Sequence, residues 1–172
     1  MFIRKADLRD ADGIAKVHVD SWRTTYEGIV AASYLEGLSY EQRTANWKRG
    51  IGVNPLYVAE RKDGKIIGFA TGGRERTGKY DKYKGELYAI YLLKEAQGQG
   101  IGTALIRAVA TELQTTGFTS MLIWVLEQNR SKLFYERLGG KVIDQTTITI
   151  GGEKFIEVAY GWEDIDVLFN KA

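Results

Sequence analysis

Residues 97–102 read Gln-Gly-Gln-Gly-Ile-Gly and fall between a β-rich run, residues 85–93, and an amphipathic run, residues 103–116. Glycine loses more backbone freedom on folding than any other residue, so alternating glycines imply positive φ or close approach of another group. The unit is therefore strand, tight loop, helix. Leu105, Ile106, Val109, Ala110 and Leu113 recur at helical spacing, and Gly117 suits the position after the last turn. Such a loop at a helix N-terminus turns backbone N–H groups toward one point. That makes Gly98, Gly100 and Gly102 a candidate anion site, with phosphate or pyrophosphate as its natural guest. A nucleoside triphosphatase loop would end in Gly-Lys-Ser/Thr, which is missing. A dinucleotide fingerprint fails because Thr103 stands where Gly or Ala belongs. A turn without a ligand is the plainer reading of the same residues.

Around this unit the pattern is that of an α/β (α+β) chain forming a single domain over residues 1–172. Residues 2–5 read as a strand, and Asp7 or Asp10 can cap a helix carrying Leu8, Ile14, Val17 and Val19. Ser39 followed by Gln42 makes a capping box for a helix through Trp47. Two β-rich runs flank Asp63-Gly64, a hairpin signal, before a polar, basic loop at residues 74–84. Residues 120–126 form a buried strand, and Asn129 or Ser131 opens a helix bearing Leu133, Phe134, Tyr135 and Leu138. A second hairpin turns at Gly151-Gly152.

Composition narrows the chemistry. The 172 residues include no cysteine and one histidine, so Cys/His zinc sites and thiol nucleophiles are excluded, and no metal is expected. A net charge of +2 makes no case for nucleic acid. Apolar stretches are too short for a membrane span or a leader, and the cytoplasm is the expected compartment.

The segment ELYAIYLLKEAQGQGIGTAL resembles the acyl-CoA-binding signature of the GCN5-related N-acetyltransferase (GNAT) superfamily. Its Gln/Arg-x-x-Gly-x-Gly/Ala core is matched by Gln97, Gly100 and Gly102. NRSKLFYERLGGKV resembles the family's second signature, and the order of elements agrees along nearly the whole chain. The resemblance implies a mixed, mostly antiparallel central sheet of about six to seven strands flanked by helices and splayed at the strand before the glycine loop. It implies an acetyl-CoA-dependent N-acetyltransferase with acetyl-CoA as acyl-donor substrate. The strand end, Ile90, Tyr91 and Leu92, would meet the pantetheine arm, with the Leu92 amide as oxyanion donor. Gln97, Gly98, Gln99, Gly100, Ile101, Gly102 and Thr103 would hold the pyrophosphate. Asn129 would meet the pantetheine too, although Gln128 occupies the seventh place before Tyr135 that many members give to Asn.

On the same resemblance Tyr135 is the general acid. A phenol with an ordinary pKa of ~10 stays protonated at neutral pH and can protonate a leaving thiolate. Glu86 is the implied general base; alternation places it on one face with Tyr88, Ile90 and Leu92, and an apolar strand would raise its pKa. The strand that supplies a base in another branch carries Ile123 and Trp124 here. Trp22, Tyr26 and Tyr88 are aromatic candidates for holding an amine by cation–π contact, while His18 reads as structural. The acceptor is a small-molecule amine or a protein or peptide amine, and a homodimer is compatible with family habit. Without cysteine, attack by the amine is direct. The competing reading is a catalytically silent acyl-CoA-binding or regulatory domain.

Overall fold

The computed structural model describes residues 1–170. In chain order the elements are β1 (Phe2–Lys5), α1 (Ala11–Thr25), α2 (Ala32–Glu36), α3 (Tyr40–Gly50), β2 (Leu56–Glu60), β3 (Ile66–Arg74) and β4 (Gly85–Leu92). They continue with α4 (Ile101–Thr115), β5 (Met121–Leu126), α5 (Lys132–Arg137), β6 (Lys141–Ile150), β7 (Glu153–Trp162) and α6 (Val167–Asn170). The strands form one seven-stranded sheet in the order β1-β2-β3-β4-β5-β7-β6. Every pair is antiparallel except β4–β5, which α4 joins as a crossover.

That parallel pair is short: only Gly85 and Glu86 pair with Met121 and Leu122, after which the strands part. A bulge at Tyr88 precedes the opening, because Leu87 pairs with Gly72 while Ala89 pairs with Thr71. The extra residue rephases the strand. Before it, Glu86 and Tyr88 share one face; after it, Tyr91 carries that face on, stacked against His18 of α1 with ring centroids 5.1 Å apart. Leu92 points the other way, where it packs with Leu105 of α4 around Gly68. The simple alternation that grouped Glu86 with Ile90 and Leu92 is thus corrected by a single bulged residue.

Helices α1 and α4 cover opposite faces, and both approach closely. Gly72 has no room for a side chain: a Cβ there would lie 2.6 Å from the Glu86 carbonyl oxygen and 2.7 Å from Val109 Cγ1. The main core joins Ile14 and Val17 of α1, Phe69 and Leu87 of the sheet, and Leu105, Ile106 and Val109 of α4. A second cluster gathers Tyr26, Val30, Leu35 and Leu126 with Tyr34, Ile148, Ile150 and Phe155, so the far half of the β6–β7 hairpin lies against the α1–α2 region. Ser39 caps α3 by accepting from the Gln42 amide at 3.1 Å, as its spacing implied. Leu8 does not join α1; it sits in a 3₁₀ turn capped by Asp7 and is 61% exposed. Helices α2 and α6, of five and four residues, were not anticipated because elements this short carry no periodicity.

Gly72→Ala should cost about 1–3 kcal/mol through overpacking. Gly50→Ala, at a position with open space around it, should change stability by no more than about 0.5 kcal/mol. Paired urea denaturation curves check both.

Candidate active site

The opening between β4 and β5 organises the site. Leu93 N donates to Ile67 O at 3.0 Å. In an antiparallel ladder residues two apart share that orientation, so the Tyr91 amide also turns to β3 while the Ile90 and Leu92 amides turn toward the opening. Backbone donors in a sheet interior demand a partner. Beyond Glu86, β5 is not paired to supply one.

The glycine loop lies just past this strand end. Gly98 and Gly100 have φ of 73° and 76°, the left-handed region that favours glycine, with open space where a side chain would stand. Helix α4 begins at Ile101, two residues earlier than the hydrophobic spacing suggested, and its N-cap Gly100 provides no side-chain acceptor. Ala104 N is satisfied by Gly100 O, leaving the amides of Ile101, Gly102 and Thr103 as the uncapped donors of a 15-residue helix. Gly102 differs from its neighbours: a Cβ there would come 3.3 Å from the Phe134 ring, so its role is close packing of α4 on α5. Gln97 is exposed, whereas Gln99 ties the loop to the preceding turn by donating to Glu95 O at 2.7 Å.

Three phenols, those of Tyr26, Tyr91 and Tyr135, lie close enough to act on one another electrostatically. Tyr135, only 4% exposed, is packed by Phe134, Tyr160 and Trp162. Burial, reinforced by Tyr91, raises its pKa, so it is a proton donor at neutral pH. Burial likewise raises Tyr26 and Tyr91. Asn129 Nδ2 donates to the Tyr26 hydroxyl at 3.4 Å while its Oδ1 accepts from Ser131 N at 2.9 Å; the side chain both holds Tyr26 and starts α5. Tyr26 is accordingly part of the packed centre. Trp22 packs against it at a tilt of 57°, centroids 4.6 Å apart, with the indole Nε1 buried and without a hydrogen-bond partner.

Glu86 is buried, 2% exposed, but it is not a free carboxylate. Oε1 accepts from Arg76 Nη2 at 2.5 Å and Nε at 3.1 Å, and Oε2 accepts from the Arg76 backbone N at 3.0 Å. The expectation of an apolar setting missed this guanidinium, which reaches back from the 75–84 loop ten residues earlier. Arg76 also lies over the Tyr88 ring at 4.6 Å, while the Tyr88 hydroxyl donates to Arg74 O at 2.6 Å. The loop itself is anchored: the Glu75 carboxylate accepts from Thr77 N and Gly78 N, and the Tyr80 hydroxyl donates to Asp144 of β6 at 2.6 Å. Tyr80 also packs toward Trp124 of β5, centroids 6.4 Å apart. His18 accepts from Trp47 Nε1 at 3.2 Å; burial, with the Arg43 charge, lowers its pKa to about 4. Among the described residues no group of three or more His, Cys, Asp or Glu is placed to hold a metal ion, and no helix is long and apolar enough to cross a membrane.

An open parallel pair, an uncapped helix behind a glycine loop and a buried tyrosine at the gap agree with comparison to known proteins. The chain belongs to the acetyltransferase (GNAT) family, whose profile matches residues 17–140. It is 43% identical over 166 residues to the uncharacterized N-acetyltransferase YuaI of Bacillus subtilis (strain 168), covering 96% of this chain and 95% of that one. It is 26% identical over 165 residues to a spermidine N(1)-acetyltransferase of Thermoplasma acidophilum, covering 92% and 96%. The crystal structure of the PaiA N-acetyltransferase from Thermoplasma acidophilum in complex with coenzyme A superposes with a TM-score of 0.73. That match has 25% identity and covers 91% of this chain and 96% of the other.

Arg76→Met removes the guanidinium and leaves the buried Glu86 carboxylate with only the backbone N–H of residue 76. It should cost about 1–2 kcal/mol, less than a fully buried pair because most of the Arg76 side chain is in solvent. Adding Glu86→Gln should restore part of that loss, read by a double-mutant cycle in urea. His18 is neutral in the fold and titrates near its ordinary value of 6.5 when unfolded, so the unfolded chain binds the extra proton first. Stability contributed by His18 is present above pH 6.5 and lost as pH falls toward about 4, by about 3 kcal/mol in all. His18→Gln should flatten that limb of the stability profile.

Proposed function

We propose that the chain is an acetyl-CoA-dependent N-acetyltransferase acting on a primary amine by direct attack, with residues 1–172 as one catalytic unit. The parting of β4 from β5 beyond Glu86 carries the reading, because it leaves two sheet amides facing a gap beside Tyr135. A pantetheine arm lying along β4 is the kind of partner those amides need, and Leu92 N–H is positioned by its strand to polarise a thioester carbonyl. The Gly98–Thr103 segment suits a pyrophosphate: the left-handed glycines leave space at the loop and α4 offers uncapped amides. Acetyl-CoA, as substrate, supplies the acyl group and a thiolate leaving group; the coenzyme A complex of the Thermoplasma structure supports that assignment.

Tyr135 gives its proton to the leaving sulfur. Its raised pKa keeps the phenol protonated across the neutral range, and its ring is held by packing against Trp162. Asn129 positions Tyr26 and opens α5, and through α5 it sets Tyr135. On the acceptor side, the Tyr34 ring lies where a Cβ at Gly151 would stand, at 2.9 Å, so the β6–β7 turn closes onto α2. A site walled in this way favours a small-molecule amine over the surface of a folded protein, and the spermidine-acetylating relative points the same way. Trp22, partly buried, and Tyr88, capped by Arg76, remain the aromatic edges nearest that side.

Purified protein should release coenzyme A thiol when a suitable primary amine is added to acetyl-CoA. Tyr135→Phe should lower kcat by about 10²–10⁴-fold with the thermal stabilisation by acetyl-CoA unchanged. Stabilisation by acetyl-CoA with no turnover across an amine panel would return the silent-domain reading.

A further inference from the structure

With Glu86 committed to Arg76, the acceptor side needs another group to receive an ammonium. Glu157 lies on β7 opposite Leu126, the last residue of β5. Pairing across the sheet places Glu157 on the same face as Trp124 and, through Leu122, as Glu86. Leu126 itself belongs to the cluster around Tyr26, so Glu157 flanks the opening at the level where β4 and β5 have already separated. Among the described residues no hydrogen-bond or ion-pair partner is found for its carboxylate. The charges that reach it are those of Arg76 from the loop and Glu86 from β4; its neighbours across β5 and β6, Leu126 and Thr146, do not titrate. Burial raises its pKa above the ordinary carboxylate value.

We propose that Glu157 receives the acceptor's ammonium and takes its proton, and that the acceptor is a cationic amine without an adjacent carboxylate. This rests on the N-acetyltransferase reading. Glu157 and the two charged groups that reach it, Glu86 and Arg76, sum to −1, and the guanidinium is already held on Glu86. An ammonium finds an unpartnered carboxylate there, whereas an amino acid's carboxylate finds no free cation among these groups. Tyr80 and Trp124 on the same side offer apolar contact for the acceptor's stem. In the reaction, the ammonium gives one proton to Glu157 and the amine nitrogen forms its bond to the acetyl carbon as the carbon–sulfur bond breaks. The thiolate takes the Tyr135 proton, and the proton shed by the acylated nitrogen restores the phenol. The proton on Glu157 leaves to solvent, so one proton is released per turnover. Glu86 is then a positioning residue, fixing Arg76 over Tyr88.

The test compares wild type with Glu157→Gln on cadaverine against lysine and tyramine against tyrosine, by thiol release and by calorimetric binding to the coenzyme A complex. The expected result is at least tenfold preference for each amine over its amino acid. The variant should raise the amine KM or Kd at least tenfold and lose the acidic limb of the kcat/KM profile, with an unchanged KM for acetyl-CoA. Because the substitution removes a desolvated charge, the variant's Tm at pH 7 should be no lower than wild type, which separates this role from a structural one. Equal amine binding by the variant, preference for the amino acids, or no binding of either amine would overturn the proposal. Absence of thiol release with amine binding still weakened by Glu157→Gln would overturn the transferase reading and leave the Glu157 site standing.

Discussion

A backbone amide inside a sheet that has lost its neighbouring strand must bond to something else, and β4 carries two of these at Ile90 and Leu92. Much of the surrounding structure serves to keep that gap open yet shielded. The bulge at Tyr88 changes the strand's phase just before the gap, α1 roofs one face through His18 on Tyr91, and α4 closes the other through Leu105 and Val109. Glycines at 68 and 72 allow α4 to approach β3 more closely than side chains would permit. The glycine loop follows the end of β4 and opens α4, so the helix N-terminus stands just past the gap in the chain.

The two sides of the site use different physics. On the donor side nearly everything is neutral: backbone dipoles, three phenols and an amide. In the proposed reading, such neutral donors let a chain of net charge +2 meet a polyanion through peptide dipoles. On the side proposed for the acceptor, the charges are those of the Arg76–Glu86 pair and Glu157. A buried carboxylate costs several kcal/mol unless it is hydrogen-bonded, and Glu86 is satisfied by three donors from a single residue. That arrangement makes the 75–84 loop part of the site rather than a solvated connection.

Local signals were readable from sequence wherever they were short-range. The Asp63-Gly64 and Gly151-Gly152 turns, the Ser39 cap, the helix after the glycine loop and the Tyr135 segment stand where residue spacing puts them. Illegible features depend on contacts distant in the chain. The alternation rule placed Ile90 and Leu92 with Glu86 because a bulge is invisible until β3 is paired. Nothing in a polar, basic loop announces that Arg76 folds back onto Glu86 while Lys79 and Lys82 stay in solvent. Glu157 is illegible for a related reason: a glutamate in the outer half of a hairpin strand has no distinguishing signal until Leu126 is opposite it. On the resemblance Tyr26 is a pocket-wall candidate, and by its helical spacing from Trp22 a core residue; its bond to Asn129, 103 residues away, draws it into the packed centre.

The hydrogen bond from Tyr80 to Asp144 joins the 75–84 loop to the sheet's outer strand. Loop and β6–β7 hairpin are thereby tied to each other, and each is tied elsewhere as well: Lys84 N donates to Ser120 Oγ, and the hairpin tip rests on Tyr34. Widening the acceptor side for a bulkier molecule would require both to shift together, and with them the guanidinium that balances Glu86. Pocket size and pocket charge are thereby tied to the same contact, so a change in either one during divergence of this chain would carry the other with it.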